Sequence, residues 1–121
     1  MLNALVSSFR NAFSGISYAL RTQRNARIHL GITLAVLVLG TWLRIGAKDW
    51  VPLILAAGLV WSAELINTAL EAAINLVSPK EHSLAKTSKD VSAAAVLLAA
   101  AAAAVVGILI LGPPLLIRIF P

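Results

Sequence analysis

From Val91 to Gly112 the chain carries no charged residue, a stretch longer than the roughly 20 apolar residues that cross a hydrocarbon core as a helix. Lipid offers no water to satisfy backbone amides, so such a stretch must be helical. Two further stretches read the same way. One runs from about Ile28 to Leu43, bounded by Arg27 and Arg44 and extended to residues 28–46 by the flanking residues its short length must borrow. The other runs from Trp50 to Val77. The third, 91–111, is expected to stop at Gly112-Pro113-Pro114, since proline has no amide hydrogen and its ring collides with the preceding turn. Leu115–Pro121 is too short to span again. With 60% hydrophobic and 12% charged residues in 121, a water-soluble domain would be short of polar surface. The chain reads as an all-α membrane protein, one domain over 1–121.

The first 26 residues differ in kind. Leu2, Leu5, Val6, Phe9, Phe13, Ile16 and Leu20 recur at three- and four-residue intervals with Asn, Ser and Arg between them, which predicts an amphipathic helix over 1–26 lying in the interface. Neither the compact apolar run nor the cleavage site of a signal peptide is present, so the N-terminus is expected to be retained. Arg10, Arg21, Arg24 and Arg27 precede the first span, and Lys80, Lys86 and Lys89 lie between the second and third, against Arg44, Lys48 and Arg118 on the other side. Basic residues collect in the cytoplasm, so the N-terminus and the second loop are expected there. Met1–Lys48 contains no Asp or Glu; its positive field suits anionic lipid, and equally a nucleotide or lipid phosphate. No recognition fold accompanies these residues, and nucleic acid is not an expected partner.

Glu64-Leu-Ile-Asn67-Thr68-Ala-Leu-Glu71 lies inside the second span. Ionisable groups in hydrocarbon are costly and mark function by default. At about 100° per residue, Glu64, Asn67 and Glu71 share one side of a helix, which Thr68, Asn75 and Ser78 extend into a polar stripe. Helix–helix hydrogen bonding explains an isolated Asn or Thr, but two Glu roughly 10 Å apart along the axis with an Asn between them exceed it. The chain has no Cys, His29 and His82 are too isolated for a metal site, and no Walker, dinucleotide or protein-kinase motif appears. The loop Ser78-Pro-Lys-Glu-His-Ser-Leu-Ala-Lys-Thr-Ser-Lys89-Asp90 leads into the third span. A Ser or Thr there suits a helix cap, and free N–H groups at the helix start favour phosphate. Lys89 suits a polyphosphate; Asp90 suits a metal, a ribose or Lys89 itself. A snorkelling Lys and a helix-start Asp are the plainer alternatives.

Glu64-x-x-Asn67-Thr68-Ala69-x-Glu71, then His82 and Lys89-Asp90, with Arg24-Asn25 and Ile28-His29 before the first span, resemble the small prokaryotic integral-membrane diacylglycerol kinase family, which includes undecaprenol kinases. The resemblance covers about Phe9 to Gly107. It implies a three-span subunit with an N-terminal surface helix, a homotrimer, and transfer of the γ-phosphate of ATP, with Mg2+, to a lipid alcohol at the cytoplasmic face of the bacterial inner membrane. Carried over by position, Glu71 binds catalytic metal, Glu64 is or adjoins the general base, Asn67 orients the site, and Lys89 and Asp90 engage ATP. The Ala-rich runs Ala93–Ala95 and Ala99–Ala104 suit the close contact of such an assembly.

Two positions depart from the family pattern. Gln23 stands where the family has a Glu that shares the metal with the second-span Glu, and Asn75 stands where it has an Asp. Amide oxygens ligate magnesium more weakly than carboxylates, which leaves low activity, altered metal demand or an inactive paralogue open. Diacylglycerol and undecaprenol both offer a primary hydroxyl on a long apolar body, and the Arg24-Asn25-x-Arg27-Ile28-His29 style leans to the undecaprenol branch. The competing class is a noncatalytic channel or proton-relay subunit using Glu64 and Glu71, which leaves Lys89-Asp90 without a task.

Overall fold

The computed structural model describes every residue from Met1 to Pro121. Four helices and no strand are present: α1 (Leu2–Thr22), α2 (Arg24–Leu43), α3 (Ala47–Val77) and α4 (Ser83–Ile119). The last three are long and apolar enough to cross a membrane, so the all-α membrane architecture read from the sequence holds. Gln23 alone separates α1 from α2, its backbone extended at φ −108° and ψ 120°. One non-helical residue is enough to turn the chain out of α1 into α2. The apolar face of α1 stays uncovered by the chain, with Leu2, Leu5, Val6, Phe9 and Phe13 exposed, as suits a helix bedded in the interface.

The boundaries show what the sequence hides. The α2–α3 turn takes only Arg44–Gly46, because Arg44 adopts the left-handed conformation at φ 55° and its N–H returns to Gly40 and Thr41. This is a C-cap geometry usually given to Gly. The start of α4 is capped by neither Ser nor Thr. His82 is the N-cap, its Nδ1 accepting from the Leu84 N–H at 3.1 Å, so Lys89 and Asp90 lie within the helix. The expected stop at Gly112-Pro113-Pro114 is overturned: α4 runs through both prolines to Ile119. Proline's fixed φ is helical, and the lost amide donors concern only two turns of a helix that lipid gives no better conformation to adopt.

Packing is closest between α3 and α4. Leu53, Val60, Glu64, Asn67 and Thr68 of the one are buried, as are Ser92, Val96, Ala99 and Leu111 of the other. Of the Ala runs, Ala99 is buried and Ala93–Ala95 are exposed. From its middle to the end away from the α1–α2 joint, α2 is pinned by three contacts. The Trp61 indole N–H donates to Thr33 Oγ1 at 3.0 Å, the Arg118 guanidinium lies 5.3 Å from the Trp42 ring, and Gly40 receives Trp50. Only 12 of 121 residues are buried, far too few for a chain that faced water. The exposed Leu, Ile and Val belt is covered by lipid or by further copies. At about 1.5 Å per residue, the 31-residue α3 is roughly 46 Å long against a hydrocarbon core of about 30 Å.

A Cβ built on Gly40 would stand 2.7 Å from Trp50 Cη2 and 3.2 Å from Ile45 Cδ1. Gly40→Ala should therefore lower the midpoint of thermal unfolding in detergent, by overpacking worth about 1–3 kcal/mol. An unchanged midpoint would mean that Trp50 swings aside freely and does not set the α2–α3 spacing.

Candidate functional site

The polar stripe of α3 is folded inward. Glu64, 18 residues into the helix, is completely buried, and neither carboxylate oxygen accepts a hydrogen bond from the chain. An acid sealed without donors carries a large desolvation cost, and one titratable group faces it. His29 Nε2 of α2 lies 3.7 Å from Glu64 Oε2, the two side chains being 13% and 1% exposed. One turn along, the Thr68 hydroxyl donates to the Glu64 carbonyl at 2.8 Å, so Thr68 serves its own helix. The turn that carries His29 is fixed from behind: Thr33 Oγ1 donates to the His29 carbonyl at 2.7 Å and receives the Trp61 N–H.

Asn67 faces the opposite neighbour. Its Oδ1 accepts from Ser92 Oγ of α4 at 2.6 Å, both residues being buried. Ser92 Oγ also lies 3.0 Å from the Lys89 carbonyl. Glu71, two turns above Glu64, receives the Gln23 amide N–H at 3.0 Å on Oε2. The single extended residue between α1 and α2 is thereby brought to the second carboxylate of the stripe. Lys89 Nζ donates to Asn75 Oδ1 at 2.5 Å, tying the start of α4 to the end of α3. The two positions that depart from the family pattern, Gln23 and Asn75, are thus each bonded to one of the residues singled out for chemistry.

Asp90 stands apart. It pairs with Lys86 at 2.6 Å on the exposed face of α4 rather than with Lys89. The structure thus gathers Gln23, Glu64, Asn67, Glu71 and Lys89 at one end of the bundle and leaves Asp90 on its flank. No three Asp, Glu, His or Cys side chains converge as a self-sufficient metal cluster.

Two cavities meet at His29. The larger, of about 490 Å³, is an apolar cleft between α2, α3 and α4 that runs from His29 past Leu53 and Val60 to Leu115. The smaller, of about 210 Å³, is lined by Asn25, His29, Asn67 and Ala93 among others. Ser92 and His29 are the residues that sequence reasoning undervalued. Ser92 is a hydroxyl one turn past Lys89 in an otherwise apolar run, and that was the available signal. His29 looked isolated because its partner lies 35 positions away in the chain.

The chain has known relatives. Residues 10–111 match the family described as prokaryotic diacylglycerol kinase. Over 114 residues the chain is 38% identical to the undecaprenol kinase of Bacillus subtilis, covering 94% of this chain and 93% of that protein. Over 113 residues it is 49% identical to the diacylglycerol kinase of Synechocystis sp., covering 93% of this chain and 65% of that protein. With its acids gathered on the second of three membrane helices, the chain belongs to the prokaryotic diacylglycerol kinase family and is a membrane-embedded lipid kinase.

Proposed function

We propose that the chain transfers the γ-phosphate of ATP, with Mg2+, to the primary hydroxyl of diacylglycerol or undecaprenol, at the cytoplasmic face of a bacterial inner membrane. The observation that carries this reading is the pair of carboxylates two turns apart on α3. One is sealed and free of hydrogen-bond donors; the other meets the surface-helix joint through Gln23. A base for a lipid hydroxyl belongs in the first environment, and a holder of charge at the phosphates belongs in the second.

Glu64 accepts the hydroxyl proton as the lipid oxygen attacks. Asn67, held by Ser92, orients the groups between the two acids, and Lys89 draws in the polyphosphate from the first turns of α4; Asp90, on the flank with Lys86, would meet the nucleotide only from outside that cluster. Glu71, with Gln23 turned to present its side-chain oxygen in place of the nitrogen that now donates to Glu71, would hold magnesium, which takes few protein ligands when phosphates supply the rest. When bound, the ion neutralises phosphate charge during transfer. The basic residues at this end, Arg24, Arg27 and Lys89 among them, favour the cytoplasmic side for it. One chain leaves Ile66 and Leu70 of α3 exposed and cannot alone enclose ATP and a lipid; a homotrimer covers this surface and closes the site.

The purified protein in mixed micelles with MgATP should label diacylglycerol or undecaprenol, each supplied separately. A folded protein that labels neither, yet passes ions in liposomes, would replace this reading by the channel or proton-relay class; labelling of neither without ion flux would make it an inactive paralogue. Glu71→Gln should cut kcat by two orders of magnitude or more, the loss of a preorganised electrostatic partner worth about 3 kcal/mol, with helix content and assembly unchanged. Turnover near the parent's would reduce Glu71 to a structural acid.

Gln23→Glu tests the joint. A carboxylate there binds a hard dication better than an amide does, so the magnesium concentration for half-maximal activity should fall, with lipid preference unaltered. Without magnesium the new carboxylate repels Glu71 in place of the present hydrogen bond, so thermal stability should drop and recover as the ion is added. Magnesium curves identical to the parent's in both measurements would detach Gln23 from the site.

A further inference from the structure

We propose that His29 carries away the proton that Glu64 takes from the lipid hydroxyl, restoring the base for the next turnover. This rests on the kinase reading above, with Glu64 as base. Transfer forms the bond between the lipid oxygen and the γ-phosphorus and breaks the bond from that phosphorus to the bridging oxygen, which leaves on ADP with the electron pair. The hydroxyl proton goes to the Glu64 carboxylate. A protonated Glu64 cannot accept again until that proton has gone elsewhere.

Within the chain, one group is placed to receive it. The Glu64 side chain is 1% exposed and meets no donor or acceptor of the chain within hydrogen-bond distance. His29 Nε2 stands 3.7 Å from Oε2, and approach by less than an ångström makes a hydrogen bond; distances of this kind commonly tighten only once substrate is bound. Imidazole takes a proton on one ring nitrogen and releases one from the other. The ring is more exposed than the carboxylate and lines both the apolar cleft and the smaller cavity that holds Asn25 and Asn67. It therefore joins the base to the polar end of the bundle.

Two further charged groups near the site are engaged elsewhere, while Arg24 and Arg27 of α2 have no side-chain partner in the chain. Glu71 on α3 receives Gln23, Lys89 on α4 is bonded to Asn75, and α4 otherwise presents the neutral Ser92 to Asn67. The chain of hydrogen bonds from the Trp61 indole to Thr33 and on to the His29 carbonyl holds the turn so that the ring stays opposite Glu64.

The test compares Glu64→Gln, His29→Gln and His29→Ala in the full-length protein, in mixed micelles with MgATP and the accepted lipid. Glu64→Gln should be inactive. His29→Gln, polar and of similar bulk but unable to carry a proton, should lose about tenfold or more in kcat while the KM values for ATP and lipid stay within about twofold. Imidazole added to His29→Ala should raise kcat with concentration; pyrazole, of the same shape and scarcely basic, should not. Parental kcat in His29→Gln beside an inactive Glu64→Gln would overturn the relay and leave the base reading standing. Parental kcat in Glu64→Gln would overturn the base reading and the relay together. Equal rescue by pyrazole would reduce His29 to packing, and His29→Gln carries the comparison if His29→Ala fails to assemble.

Discussion

A carboxylate shut inside a membrane-spanning helix bundle is the constraint around which the rest of this chain is arranged. Glu64 has no exposed surface and no hydrogen bond from the protein, a state that hydrocarbon makes expensive. Its neighbours read as responses to that cost. Small residues let α4 come close enough for Ser92 to satisfy Asn67, and a pinned turn of α2 brings His29 alongside. An apolar core with no such acid would pack more favourably. Under the proposed mechanism, the buried acid serves to take a proton from a substrate that itself lives in lipid.

The second organising interaction is the contact of Gln23 with Glu71. It links α1 to α3 beside the fully buried Ala19 of α1. Because Gln23 is itself the break between α1 and α2, the residue that ends one helix also supplies its tether. Asn75 and Lys89 make the matching link from α3 to α4. Three helix ends are held around the upper carboxylate by two amide side chains, each neutral, so neither tether cancels the charge of its partner.

Much of this was legible in the sequence because it is periodic. The spans follow from uninterrupted apolar runs, α1 from its three- and four-residue repeat, and the inward stripe from the spacing of Glu64, Asn67 and Glu71. What stayed hidden depends on contacts between distant positions or on backbone choices that residue type alone does not dictate. His29 carries no local sign that Glu64 faces it. Arg44 takes a left-handed cap that usually belongs to Gly. Pro113 and Pro114 read as a stop because in water the helix would have alternatives, and in lipid it has none. Lys89 and Asp90 are neighbours in the chain, yet a helical step of 100° sends one toward α3 and the other to the flank beside Lys86.

The length of α3 has a bearing on where such an enzyme works well. At roughly 46 Å the helix exceeds a hydrocarbon core of about 30 Å by several turns, so it must tilt or stand proud of the bilayer. The depth of Glu64 and Glu71 beneath the headgroups is then set jointly by the protein and by its host. Hydrophobic mismatch is relieved at modest cost per ångström, so a membrane with longer acyl chains draws the two acids deeper, and a thinner one lifts them toward the water. Acyl-chain composition thereby becomes a tuning variable for the meeting of a water-borne phosphate donor with a lipid-borne acceptor.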